Sequence, residues 1–276
     1  MTALPKSNLA TRFLTAGIGG PVILGILYFG PPWAWFAFVT VAAVIGGFEF
    51  FAMTHPGDRI AQTLCTAFTL GVMAILWVWG MDPKVVLTLV FLLPLLAMAL
   101  VLWRLGDINT ATLRIASTAF GPLYLGGGLG ASILLRRDAG ADGPAFVVLT
   151  LMLSWLSDTG AYFAGRFLGK HKLYEAVSPK KTVEGAIGGI FGGIVGALLA
   201  HFGYLRSLSL VDGIGLAIVA GGLGQIGDLG ESLIKRSVGV KDSGGIVPGH
   251  GGILDRVDAL LVTSTITYLY LLWIRL

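Results

Sequence analysis

The chemistry-bearing residues of this chain lie in its second half. Ser154, Asp158 and Tyr162 fall at helical spacing and share one face of an otherwise apolar helix. A carboxylate there costs at least ~2.5 kcal/mol on insertion scales, so it marks a functional candidate before it marks a helix contact. Asp228, Glu231, Ser232 and Lys235 stand at i, i+3, i+4 and i+7, again one face. Asp255 and Asp258, at i and i+3, project together in the same way. The three aspartates 228, 255 and 258 are expected to converge on a hard cation, and oxygen ligands of this kind suit Mg²⁺. The plainer alternative is a set of interfacial ion pairs with Lys235, Arg236 and Arg256.

Between these acids runs a basic segment from Arg166 to Thr182, holding Lys170, Lys172, Lys180 and Lys181. Ser178-Pro179 reads as an N-cap followed by Pro at the first helical position. A helix starting there would aim free N–H groups, with Lys180 and Lys181, at an anion. The alternative is a juxtamembrane loop drawn to anionic lipid, and an anionic lipid substrate would satisfy both. His250, in a Gly-rich turn beside Asp255, can titrate near neutrality. His55, His171 and His201 are scattered without an i, i+4 pair, which argues against a His-based metal site. Glu49 has no evident chemistry, and a helix contact is its default reading.

The elements that must position these residues follow from composition. Of 276 residues, 55% are apolar and only 12% charged, half the charge of a usual soluble domain. Mean hydropathy is +0.83. Disorder is excluded by the apolar content, and the single Cys65 excludes an intramolecular disulfide or a Cys-based zinc site. Uncharged or nearly uncharged runs at about 13–29, 33–53, 60–81, 85–103, 115–135, 144–165, 185–205, 213–233 and 257–275 each approach the ~20 residues that cross a bilayer. Open strands would leave backbone groups unpaired in lipid. The expectation is therefore an all-α, polytopic integral membrane protein of about nine transmembrane helices. No N-terminal signal peptide is expected, because Gly30-Pro31-Pro32 follows the first span and no A-x-A site appears.

With the N-terminus in the cytoplasm, 14 of the 19 Lys and Arg residues fall on cytoplasmic segments, as the positive-inside rule requires. The outer side keeps Lys84, Arg136, Arg137, Arg206 and Arg275. No connecting segment is long enough for a separate soluble domain. The chain reads as one membrane domain, 1–276. Residues 1–149 form packing helices and a lipid cavity, and 150–276 form the catalytic helices and cytoplasmic loops. The acids agree, with 6 in residues 1–150 and 9 in 151–276.

Two Gly patterns carry no chemistry. Gly222, Gly224 and Gly227 match G-x-G-x-x-G, but inside an apolar run rather than a βαβ unit, so close helix packing is expected. Gly185, Gly189, Gly193 and Gly188, Gly192, Gly196 form two small-xxx-small stripes of the same kind.

The segment from Ser232 to Asp258 reads S-x-x-K-R, four residues, K-D, a Gly-rich turn, then H-G-G-x-x-D-R-x-D. This resembles the signature of the phosphatidate cytidylyltransferases (CDP-diacylglycerol synthases), with every fixed position filled. Trp155 to Arg166, Ser178 to Gly185 and Gly227 to Ser232 resemble further blocks of that family. The likeness is strong over 150–260. Over 1–149 it rests on span pattern and on a stretch at Tyr124–Gly126.

The resemblance implies an integral membrane nucleotidyltransferase of phospholipid biosynthesis, in a bacterial inner membrane with its active site on the cytoplasmic side. The reaction implied is phosphatidate plus CTP giving CDP-diacylglycerol and pyrophosphate, with Mg²⁺ required and a second cation left open. By position, the metal role carries over to Asp228, Asp255 and Asp258, and catalytic roles extend to Asp158, Ser232 and Lys235. Arg166, Lys180, Lys181, Arg236, Lys241, His250 and Arg256 are the candidates for binding substrate. The expected partners are CTP, phosphatidate and membrane lipid, with no nucleic acid, and a homodimer is left open. Two alternatives remain at this point. A CTP-dependent lipid or polyprenol kinase would attack the γ- instead of the α-phosphorus. A cation-coupled transporter would spread its acids towards the midplane and show related halves, neither of which is seen here.

Overall fold

The structure, a computed structural model, describes residues 9–245 and 251–275. Helix boundaries follow local capping chemistry. Helix α1 spans Leu9–Phe29, and α2 (Pro32–Thr54) begins on a proline, whose missing N–H costs nothing in a first turn. Asp58 caps α3 (Arg59–Trp79) by accepting from the Ala61 N–H at 3.1 Å. Asp82 and Pro83 open α4 (Pro83–Trp103). The fifth span differs from a plain helix. It runs as α5 (Ala111–Gly121), a π-helical turn (Pro122–Gly126) and α6 (Gly127–Asp138). Pro122 has no N–H to continue the α pattern, and the turn widens locally. Helix α7 covers Gly143–Phe167, α8 Val183–Gly203, α9 Leu210–Ser237 and α10 Leu254–Tyr270.

Eight of these spans, α2 to α4, α5 with α6, and α7 to α10, are long and apolar enough to cross a membrane among the described residues. Helix α1 adds 21 residues, with residues 19–29 apolar. The architecture is an all-α polytopic membrane bundle. Large apolar side chains point outward as well as inward: Phe91 is 71% exposed and Phe191 65%. Such an outer surface suits lipid, where the usual inside-out polarity rule for water does not apply.

Packing of the second half depends on glycine. A Cβ on Gly192 would overlap the Leu156 carbonyl oxygen, and one on Gly188 would overlap the Ala164 Cβ. The stripe Gly188, Gly192, Gly196 therefore lets α8 lie directly on the backbone of α7. Gly189 and Gly193 face Gln225 and Ala217 of α9. The letter match to a dinucleotide motif also resolves into packing. Gly224 meets Thr263, and a Cβ on Gly227 would stand 2.6 Å from Val262 of α10, while Gly222 faces open space.

The one sheet among the described residues is a hairpin between α7 and α8, β1 (Lys172–Tyr174) with β2 (Ser178–Thr182), antiparallel and bulged. This corrects the reading of Ser178-Pro179 as a helix start. Helix α8 begins five residues later, capped by Thr182, whose hydroxyl accepts from the Gly185 N–H at 3.0 Å. Pro179 sits on a two-stranded ribbon, where a missing N–H is tolerated.

Candidate active site

The hairpin lies against the ends of α7, α8 and α9 and closes a cleft of about 430 Å³. Its lining includes Asp158, Tyr162 and Arg166 from α7, Lys180 and Lys181 from β2, and Gln225 and Asp228 from α9. Glu184, in the first turn of α8, fixes the hairpin's base. Its Oε2 accepts from the N–H groups of Lys170 (3.1 Å) and His171 (3.2 Å), and its Oε1 lies 2.6 Å from His171 Nδ1. Lys172 Nζ donates to the Pro179 carbonyl at 2.5 Å and ties the strands across. Lys180 and Lys181 are thus held over the acids by a braced ribbon, a different device from the expected helix terminus.

Lys181 Nζ forms an ion pair with Asp228 Oδ2 at 2.6 Å. Asp158, Asp228 and Asp258 lie close enough for each carboxylate to feel the others, and Arg256 and Lys181 act on Asp158 from the opposite sign. Arg166 Nη1 donates to the Tyr162 hydroxyl at 2.7 Å, leaving its remaining donors at the cleft rim. Gln225 Nε2 donates to the Ala186 carbonyl at 3.0 Å.

Lys235 does not reach this cleft. It is buried between two carboxylates, paired with Glu231 in its own helix and with Asp255 Oδ1 at 2.6 Å. Asp255 in turn accepts from the N–H groups of Ser243 (3.1 Å) and Gly252 (2.8 Å), so it also clamps the segment that leads into α10. Arg236 is spent in part on the end of α9, donating to the Val240 carbonyl at 3.0 Å. Ser232 is half-buried on the Asp228 face, and Lys241 and Arg256 are exposed. His250 lies outside the described residues.

No three His, Cys, Asp or Glu side chains among the described residues form a ready-made metal cluster. The expected convergence of Asp228, Asp255 and Asp258 is not assembled among the described residues, where Lys181 pairs with Asp228 and Lys235 with Asp255. The donor chemistry still fits a hard cation. All three are carboxylates on neighbouring turns of α9 and α10. Asp255 has four acceptor sites, and its backbone donors orient it as outer partners orient a ligand.

Two residues escaped sequence reasoning. Tyr124, on the π turn, buries its hydroxyl with no hydrogen-bond partner among the described residues, within electrostatic reach of Asp228, Glu231 and Asp258. Single-turn π bulges concentrate at functional sites, and Pro122 is the sequence signal for this one. The other is Glu49, from α2, whose carboxylate accepts from the N–H groups of Ile253 (3.1 Å) and Leu254 (2.9 Å) at the start of α10.

This arrangement, a basic ribbon over membrane-embedded acids, coincides with a family match. Residues 10–274 fit the model of the cytidylyltransferase family. The chain belongs to that family. Among its members, proteins named phosphatidate cytidylyltransferase from Brucella suis and Brucella melitensis are each 36% identical over 96% of this chain and 93% of their own length. A phosphatidate cytidylyltransferase of Staphylococcus aureus is 40% identical over 133 residues, 48% of this chain. In that comparison the chain spans about half the relative's length, 51%. The family match takes in both the acid-bearing helices and the scaffold helices α2 to α6.

Proposed function

We propose that this member of the cytidylyltransferase family transfers the cytidylyl group of CTP to phosphatidate, releasing pyrophosphate and CDP-diacylglycerol. The observation that carries the reading is the cleft itself. Lys180, Lys181 and Arg166 line it together with Asp158 and Asp228, in a volume that opens among apolar helices, where a lipid phosphate and a nucleotide can meet. The relatives' names give the substrates.

A phosphatidate oxygen attacks the α-phosphorus of CTP. The new P–O bond forms as the bond from the α-phosphorus to the bridging oxygen of the β-phosphate breaks, and pyrophosphate leaves in line. The nucleophile is already anionic, so positioning and charge neutralisation supply most of the acceleration. Lys180, Lys181 and Arg166 offset the phosphates' charge, with Arg256 and Arg236 nearby on the same end of the bundle. Mg²⁺, the divalent cation we assign, would be held by Asp228, Asp255 and Asp258, with Asp158 adjacent, and supplies Lewis-acid stabilisation of phosphoryl charge. Helices of residues 1–149 provide the scaffold and the lipid-facing wall. We place the site on the cytoplasmic side of a bacterial inner membrane, from the 14-to-5 distribution of basic residues.

The test is purified protein in detergent with phosphatidate, labelled CTP and Mg²⁺. CDP-lipid and pyrophosphate are expected. Release of CDP with a phosphorylated lipid would show a kinase instead.

A further inference from the structure

The start of α10 is held by a residue from the opposite half of the chain. Helix α10 carries Asp255 and Asp258 in its first turns, yet its own N-cap position, Ile253, offers no side-chain acceptor. The missing acceptor comes from Glu49, 204 positions away: Oε1 takes the Ile253 N–H and Oε2 takes the Leu254 N–H. Oε2 also accepts from the Ser243 hydroxyl at 3.3 Å. Glu49 is 6% exposed, a large desolvation cost for its carboxylate unless the group is fully used. Ser243 is shared, because its N–H goes to Asp255. Two carboxylates, Glu49 and Asp255, thus grip one loop from both sides.

The glycines on that loop fit the grip. A Cβ on Gly252 would stand 2.5 Å from Glu49 Oε2, and one on Gly244 would overlap Glu49 Oε1. At Gly244 the Glu49 side chain fills the space a Cβ would take, and at Gly252 the Ser243 hydroxyl and Glu49 fill it together. A carboxylate at a helix N-terminus also complements the dipole, adding a favourable charge term to the two hydrogen bonds.

We propose that Glu49 is a positioning residue for the reaction: it caps α10 in trans and sets the placement of Asp255 and Asp258 relative to Asp228. This rests on the functional reading above for its link to catalysis, though not for the contact itself. It assigns the N-terminal half a direct part in ordering the acid-bearing helix.

The experiment compares Glu49→Ala, Glu49→Gln and a scaffold control, Cys65→Ala, which removes a buried side chain that touches Thr118 and no site residue. Two readouts are taken on the full-length protein in detergent: amide hydrogen exchange of the peptide covering 251–256, and the Mg²⁺ concentration giving half-maximal CDP-lipid formation. In Glu49→Ala, exchange should accelerate tenfold or more and the half-maximal Mg²⁺ concentration should rise about fivefold, with KM for CTP within twofold of wild type. Glu49→Gln keeps one carbonyl acceptor and should fall between. Gly244→Ala should slow turnover in the wild-type background and be partly rescued in Glu49→Ala, because every atom its Cβ would overlap belongs to Glu49. If Glu49→Ala does not fold, Glu49→Gln and Ser243→Ala carry the same two readouts. Wild-type exchange and Mg²⁺ response in the Glu49 variants would overturn the proposal. So would equal changes in Cys65→Ala, which would reduce the effect to general loss of stability. Absence of CDP-lipid from the wild-type protein overturns the proposed reaction and leaves the exchange arm to judge the Glu49 contact alone.

Discussion

The Lys181 ammonium lies 2.6 Å from the Asp228 carboxylate, joining the braced hairpin to helix α9 across the mouth of the cleft. Both partners are half-buried, so the pair is neither a screened surface contact nor a sealed one. Such a lysine can exchange its carboxylate for a phosphate oxygen without crossing a new desolvation barrier. Charge-assisted hydrogen bonds to phosphate contribute about 1.5–3 kcal/mol each. Lys181→Ala should therefore lower kcat/KM at least tenfold in neutral detergent micelles. Lys180→Ala should follow it with a smaller loss. Lys170→Ala should matter chiefly in anionic bilayers. Equal losses at 170 and 181 in micelles would reduce the ribbon to a basic patch.

Asp228→Asn and Asp255→Asn separate charge from scaffold. Both should abolish turnover, since each removes a carboxylate from the proposed cation site. Each also loses an ion pair with a lysine, but only Asp255→Asn disturbs two backbone donors of the segment before α10. Limited proteolysis within 241–253 should accelerate in Asp255→Asn and remain at the wild-type rate in Asp228→Asn. Near-wild-type activity of either variant at saturating Mg²⁺ removes that residue from the site.

Much of this fold was legible because membrane spans are written in uncharged runs. The run 185–205 became Val183–Gly203, and 213–233 became Leu210–Ser237. The Gly188, Gly192, Gly196 stripe was readable for a similar reason, since small residues at every fourth position have few uses other than close approach. What failed was the helix start read at Ser178-Pro179. The pairing of β2 with β1 holds residues 178–182 in a strand, and the cap falls four residues on, at Thr182. Local sequence does not contain that pairing energy. The Lys235–Asp255 pair is the plainer alternative that the sequence offered, but the partners of Glu49 were illegible for a stronger reason. An apolar helix shows where a carboxylate sits along its length, but not which helix packs beside it, and Glu49's donors lie 204 and 205 positions away. The metal assignment sits between these cases. Spacing placed Asp255 and Asp258 on one face of α10, but the lysines that neutralise Asp228 and Asp255 come from elsewhere in the fold.

The α7–α8 contact supports one side of the cleft, so its glycines should be intolerant of even one methyl group. Gly192→Ala forces its Cβ into the Leu156 carbonyl oxygen, a backbone atom that cannot rotate away. Overpacking of this kind typically costs 1–3 kcal/mol. The thermal midpoint in detergent should drop by several degrees, and activity should fall with it because Asp158 and Arg166 ride on α7. Gly222→Ala, facing open space in α9, is the matched control and should leave both unchanged. Equal tolerance at 192 and 222 would show that α7 and α8 do not approach this closely.

Acid sensitivity of the scaffold should trace to His55. This residue follows α2, fully enclosed, with Nε2 3.1 Å from the Thr118 hydroxyl and Nδ1 3.1 Å from the Thr54 hydroxyl. Burial, reinforced by the Arg114 guanidinium and opposed by Asp58, lowers its pKa to about 4. A histidine held neutral in the fold titrates near 6.5 once unfolded. The unfolded chain then binds the extra proton first, so folded stability is complete above about pH 6.5 and declines as pH falls towards 4. Asp58 has the opposite chemistry but a lower window. Its hydrogen bonds to Arg104 hold its carboxyl below the usual carboxylate range, so its contribution is lost only as pH falls below about 4. Between pH 6.5 and 4.5 the midpoint of thermal unfolding should therefore fall by several degrees in wild type. In His55→Gln, which keeps hydrogen-bonding capacity without a titrating ring, the fall over the same interval should be clearly smaller. Identical slopes in the two proteins would mean that His55 exchanges its proton as freely in the fold as out of it.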